Sequence, residues 1–234
     1  MAAPKAFFFD IFGTVVDWRE GVAREARTIL HPLGHDLIWT AFADAWRGKY
    51  QAGMEEIRSG ARPFSKLDVV HARTLEWILG DFGLADISAE TRHQLVLAWH
   101  RLDGWPDSAR GIAMLRKHGL VAPVSNGNFS LMAALARRNN FHWDAILGAE
   151  FSRDYKPKPD VYLSACAAFD LAPEDCMMVA AHSDDLAAAK ACGLRTGFVA
   201  RPNEKGPGKG ESRPRIEVDV AGEDMVDLAQ KIFG

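Results

Sequence analysis

Near the amino terminus Ala6-Phe7-Phe8-Phe9 runs straight into Asp10, with Gly13-Thr14 close behind. A run of consecutive apolar residues has no helical period and leaves no face for water, so the segment reads as a strand buried on both sides. Such strands belong to parallel sheets covered by helices, and ligands of those sheets gather at the carboxyl ends of the strands. An acid at that tip is a candidate functional group from the outset.

From Trp18 to about His100 the pattern is helical. Val22, Ala23, Ala26, Ile29 and Leu30 mark one face, and Phe42, Ala45 and Trp46 another. Further helices are expected near Phe64 to Leu79 and Ser88 to His100, the latter opened by Ser88. After Gly104-Trp105-Pro106 strands and helices alternate. Strands are expected at Leu120 to Val124, Ala145 to Leu147, Cys176 to Ala181 and Gly197 to Ala200. Helices are expected at Ser108 to His118, Leu131 to Arg138, Val161 to Phe169 and Leu186 to Cys192. This rhythm predicts an α/β fold, a Rossmann-like core with a parallel sheet and an inserted helical cap. The core is assigned to residues 1–15 and 101–234 and the cap to residues 16–100. Arg201 to Arg215, rich in Gly, Pro and Lys, reads as a solvated surface loop.

Composition narrows the function classes. The 234 residues carry 28 basic and 31 acidic side chains, a formal net charge of −3, which argues against a nucleic-acid scaffold. Hydrophobic residues make up 48%, enough for a substantial core. The apolar stretch at the amino terminus is too short for a signal sequence and stops at Asp10, and other uncharged runs are broken by Pro, Ser, Asn and Gly, so no membrane partner is expected. Cys166, Cys176 and Cys192 lack metal-ligand spacing and read as reduced, small buried hydrophobes in a cytoplasmic protein. The seven tryptophans, Trp39, Trp46 and Trp99 among them, read as core.

The expected strands end in chemistry: Asp10 after the first, Ser125 and Asn126 after the second, His182 and Asp185 after the fourth. Lys156 lies in Tyr155-Lys156-Pro157-Lys158-Pro159-Asp160, where prolines fix an extended arm able to aim it at the strand tips. A carboxylate among hydroxyl, amide and ammonium donors suits a nucleophile whose charge is held in place.

Asp10-Ile11-Phe12-Gly13-Thr14, Ser125-Asn126, Lys156-Pro157 and Asp185-Leu186, in that order, resemble the four motifs of the haloacid dehalogenase superfamily. Trp46-Arg47 in the cap and Tyr162, six residues after Lys156, are similar to its type II L-2-haloacid dehalogenase branch. Superfamily phosphatases carry a second aspartate two residues after the nucleophile, to protonate an alkoxide, and an acidic magnesium ligand in the fourth motif. Here those positions are Phe12 and Ala181. Halide leaves without a proton, and hard magnesium wants carboxylate oxygens, so no metal and no cofactor are expected.

The resemblance implies a hydrolase for short 2-halocarboxylates. Asp10 displaces halide from the rear, and water then hydrolyses the aspartyl ester, so an (S)-2-haloacid gives an (R)-2-hydroxy acid. It places Lys156 beside Asp10, Thr14 and Ser125 on carboxylate oxygens, and Asp185 on Lys156 or on the hydrolytic water. Arg47 meets the substrate carboxylate or the departing halide, and Ile11, Phe12, Asn126, Tyr162 and His182 complete the substrate and halide pocket. Family members commonly dimerise through the cap, so a homodimer enters as an expectation. A phosphatase, an azetidine-2-carboxylate hydrolase and a non-catalytic binding module are the alternatives. His182 departs from the family, which has an asparagine there, and Asp184 replaces an apolar wall. We expect a His182 ring N–H to assist fluoride departure, so that fluoroacetate is accepted.

Overall fold

The computed structural model describes residues 3–234. Strand β1 (Ala6–Phe9) lies at the centre of a six-stranded, wholly parallel sheet. With β2 (Leu120–Ser125), β3 (Leu147–Gly148), β4 (Cys176–Ala180), β5 (Arg195–Val199) and β6 (Val220–Gly222), the order is β3-β2-β1-β4-β5-β6. The phenylalanine run explains the central place. Alternate residues point to opposite faces, so Phe7 and Phe9 enter one apolar cluster and Phe8 the other, all fully buried.

Between β1 and β2 come α1 (Trp18–Leu30), α2 (Trp39–Arg58), α3 (Leu67–Leu79) and α4 (Ala89–Val96), then α5 (Ser108–Arg116), which packs near β2. Asp17 caps α1 by accepting the Glu20 N–H, and Ser88 caps α4 by accepting that of Thr91, as its hydroxyl predicts. Trp46 and Trp99 are buried in this helical block, where the Trp46 indole donates to the His71 carbonyl. On the sheet side follow α6 (Phe129–Asn139), the short α7 (Ala149–Ser152), α8 (Pro159–Ala168), α9 (Ser183–Ala191) and α10 (Met225–Phe233).

Two expectations change. Gly197 to Ala200, the last of the expected strands, is followed by another: β6 extends the sheet and α10, capped by Asp224, packs on α5. Met225, Leu228 and Ala229 are buried at helical spacing, a signal masked by the loop before them. The loop itself is not simply solvated. Arg201 is buried, pairing through both terminal nitrogens with Asp107 at 2.9 and 2.7 Å and donating from Nε to the Thr14 carbonyl at 2.9 Å. That anchor lays residues 201–211 across the carboxyl ends of the strands.

The α5–α10 contact depends on a missing side chain. A Cβ at Gly111 would stand 2.4 Å from Met225 Cγ and 2.7 Å from its backbone carbon. Backbone cannot give way as a flexible side chain does, so Gly111→Val is expected to destabilise the fold by about 1–3 kcal/mol, measured as a lowered urea midpoint.

Candidate active site

Asp10 follows β1 directly and is held on both oxygens. Lys156 Nζ donates to Oδ1 at 3.0 Å, while the Thr14 hydroxyl donates to Oδ2 at 2.8 Å. Thr14 is itself aimed, because its oxygen accepts the Ala181 N–H at 2.9 Å. The third contact is His182 Nδ1, 3.0 Å from Oδ2. Burial opposes charge on Asp10, but Lys156, then His182, and finally Thr14 more than offset it and hold the carboxyl well below the usual range. Asp10 is therefore an ionised, stationary carboxylate at the strand tip.

Lys156 is buried between two acids, with Nζ 2.6 Å from Asp185 Oδ2 as well as on Asp10. Burial works against its charge, and Asp10 and Asp185 more than restore it, so its pKa is raised. Asn126 sets the arm's position by accepting the Lys156 backbone N–H at 2.9 Å, and Arg58 donates to the Lys156 carbonyl at 2.8 Å. Tyr162 donates to Asp185 Oδ1 at 2.6 Å. Burial first and then Asp185 push its phenol up, so it stays a donor. Asp10, Phe12, Arg47, Asn126, Lys156, Tyr162, His182 and Asp185 share an open cleft of about 870 Å³ with Tyr50 and Glu204.

Arg47 reaches the cleft from α2. Its guanidinium carbon lies 3.9 Å from the Tyr50 ring centre, 5.3 Å from that of Trp18 and 5.7 Å from that of Phe12. Its buried Nη1 has no hydrogen-bond partner among the described residues. A guanidinium walled by aromatic rings with an N–H left over is suited to an incoming anion.

Three expected roles do not match the geometry. Ser125 is not among the side chains bonded to Asp10, which are Lys156, Thr14 and His182; its hydroxyl oxygen accepts the Gly127 N–H at 3.1 Å, closing the turn that presents Asn126. Ile11 does not line the cleft: its side chain is in the core and its carbonyl accepts the Val15 and Val16 N–H groups. His182 has no ring N–H left for fluoride, because Nε2 sits 3.1 Å from Glu204 Oε2 while Nδ1 faces Asp10. Burial opposes a charge on this ring, but the bonds to Asp10 and Glu204 push its pKa up to about 10.

Glu204 escaped sequence reasoning. It is buried, and its Oε1 accepts the Trp18 indole N–H at 2.9 Å. Burial disfavours its charge, yet His182 and Trp18 hold its pKa below the usual value. Gly13 makes room for it: with φ at +89°, a Cβ there would fall 2.2 Å from Glu204 Oε1. The available signal was positional, an acid in the loop after a strand's carboxyl end.

The donor set does not fit magnesium. The carboxylates of Asp10 and Asp185 are bridged by an ammonium, and among the described residues no three His, Cys, Asp or Glu side chains gather as ligands.

A parallel α/β sheet carrying an ionised carboxylate clamped by lysine at its central strand tip defines an enzyme that works through a nucleophilic aspartate. The chain belongs to the haloacid dehalogenase-like hydrolase family, whose sequence profile matches residues 4–193. A crystal structure of a defluorinating L-2-haloacid dehalogenase matches it with a TM-score of 0.95 and 38% identity, covering 99% of this chain and 96% of that one. Another L-2-haloacid dehalogenase structure matches with a TM-score of 0.93 and 39% identity over 98% of each chain. (S)-2-haloacid dehalogenase 1 of Pseudomonas sp. (strain CBS-3) is 26% identical over 205 residues, 86% of each protein.

Removing the bridging ammonium leaves two buried carboxylates facing each other. Lys156→Met is expected to cost about 3–5 kcal/mol of stability at pH 7 in urea titrations. Asp10 keeps His182 and Thr14, but Asp185, already raised by burial, loses its ammonium and moves further above its unfolded pKa, so the folded state binds protons more readily. The deficit should then shrink as pH falls from 7 towards the ordinary carboxylate range.

Proposed function

We propose that this protein is a hydrolytic dehalogenase of short (S)-2-haloacids, haloacetates included, working through an aspartyl ester without metal or cofactor. The observation that carries this reading is the setting of Asp10: an ionised nucleophile with Lys156 on one oxygen, facing a cleft that also holds the unpartnered Arg47 N–H. The similarity to proteins named L-2-haloacid dehalogenases supports it.

The substrate's carboxylate docks on Arg47, and an oxygen of Asp10 attacks the carbon bearing the halogen from the rear. The carbon–oxygen bond forms as the carbon–halogen bond breaks, and halide leaves with the electron pair. No proton is needed, which agrees with Phe12 standing where a phosphatase has its general acid. Water then attacks the carbonyl carbon of the ester. The bond to the substrate oxygen breaks, the hydroxy acid departs with an oxygen of Asp10, and one proton is released overall. Asp185, pushed up by burial despite Lys156 beside it, is the base nearest this step. The helices at residues 16–100 act as the cap that brings Arg47 over the nucleophile.

The decisive experiment is a single turnover of (S)-2-chloropropionate in heavy-oxygen water with EDTA present. Halide release and a first product carrying oxygen from Asp10 are expected; immediate solvent label would mean direct attack by water. Asp10→Asn should release no halide, a neutral amide being a poor nucleophile. Magnesium-dependent cleavage of p-nitrophenyl phosphate without halide release would instead make the protein a phosphatase.

Fluoroacetate is included in the proposed range. Fluoride demands directed donors, and the Arg47 guanidinium, a fork of several N–H groups, can meet the departing halide as well as the substrate carboxylate, in place of His182. The name of the defluorinating relative supports the same range. Fluoride-electrode measurements should show release from fluoroacetate, slower than chloride from chloroacetate. Chloride release with no fluoride at any enzyme concentration would exclude it.

A further inference from the structure

His182 faces a carboxylate on each ring nitrogen, Asp10 at 3.0 Å and Glu204 at 3.1 Å. A neutral imidazole has one N–H and one lone pair, so one of these contacts would set a lone pair against a carboxylate oxygen. Only the imidazolium satisfies both. Asp10 is thus clamped by two cations with a division of labour: Lys156 on Oδ1, and His182 with the Thr14 hydroxyl on Oδ2. Because Thr14 accepts from Ala181, its one proton points at Oδ2. Both lone pairs of Oδ2 are then engaged, whereas Oδ1 accepts one bond and keeps a pair for attack.

We propose that Glu204 is a positioning residue that locks His182 as an imidazolium against Asp10 Oδ2, so that His182 and Thr14 form the oxyanion site for hydrolysis of the aspartyl ester. The inference rests on the dehalogenase reading for its chemistry, though not for its geometry. Oδ1 becomes the ester oxygen in the first displacement, and Oδ2 becomes the carbonyl oxygen. When water adds to the carbonyl carbon, the carbonyl electron pair moves onto Oδ2, between two donors already in place. Collapse returns the pair, breaks the bond from the carbonyl carbon to Oδ1, and regenerates the carboxylate with one oxygen from water. A fixed positive charge at Oδ2 favours this second step more than the first, in which negative charge leaves on the halide.

The groups facing His182 are Asp10 from the tip of β1 and Glu204 from the loop after β5. Lys156 and Arg47 are the nearby cations, acting on Asp10 and Glu204 respectively, while Asp185 is bonded to Lys156 and Tyr162. Glu204 lines the cleft with its two oxygens bonded to His182 and Trp18, so its influence on Asp10 runs through the imidazole.

The test is Glu204→Gln. The amide keeps the shape and can still accept from Trp18, but its N–H₂ then meets His182 Nε2 and forces the neutral ring. In rapid-quench single turnovers of (S)-2-chloropropionate, the halide burst should remain while ester hydrolysis slows by about tenfold or more. The ester should accumulate as a mass increase on the peptide containing Asp10. In the ester Asp10 is uncharged and Glu204 is the carboxylate left on His182, so the wild-type hydrolysis rate should fall at alkaline pH as His182 deprotonates, and in the variant that fall should be absent or moved to lower pH. Equal slowing of burst and hydrolysis with no ester accumulating would overturn the proposal, as would an unmoved rate and pH limb. If the variant does not fold, ring-nitrogen NMR of wild-type His182 decides: two protonated nitrogens at pH 8 support the lock, and a neutral ring refutes it. A wild type that releases no halide would sink the dehalogenase reading, while this titration would still judge the His182–Glu204 pair.

Discussion

The structure turns on one buried negative charge. Asp10 lies at the end of a strand enclosed on both faces, where an isolated carboxylate would take up a proton rather than remain charged. Almost everything near it answers that constraint. Lys156 is carried to it on a proline-bounded arm, Asp185 and Tyr162 hold that lysine in place, and His182 supplies a second positive group. The same arrangement that keeps the carboxylate ionised also keeps it still, so the electrostatic requirement and the mechanistic one have a common solution.

Two features separate this site from one for phosphoryl transfer, and both concern what lies between carboxylates. Where a divalent cation would need several oxygens, a lysine ammonium bridges two; where a general acid would stand, Phe12 packs edge-on against Trp99. The aromatic wall continues through Trp18 and Tyr50 around Arg47. A cation in such a wall has little water to compete with an arriving anion, and it stands on α2, apart from the carboxylates at the strand tips.

Sequence reasoning placed a residue where its position follows from a regular element. Asp10 after the triple phenylalanine, Lys156 on its arm, and Asp185 in the first turn of α9 were all legible, because parallel strands bring their ends together. It failed where hydrogen bonds chose among equivalent options. The hydroxyls of Ser125 and Thr14 both lie near strand tips and each accepts a backbone N–H, and only the bond from Thr14 to Asp10 shows which of them serves the carboxylate. Glu204 was hidden by its context of glycine, proline and lysine, which describes the loop's exterior but not the anchor from Arg201 to Asp107 that turns one acid inward.

The fit of Glu204 against Gly13 and Trp18 joins parts of the chain that lie far apart, the indole bond alone spanning 186 positions. During synthesis Asp10 emerges long before Glu204, the acid bonded to its histidine. A growing chain therefore holds Asp10 without its full setting until the last strands have docked. The environment of Asp10 is completed only once the loop after β5 has been made, so a chain stopped before that loop possesses the carboxylate but not all of the partners around it.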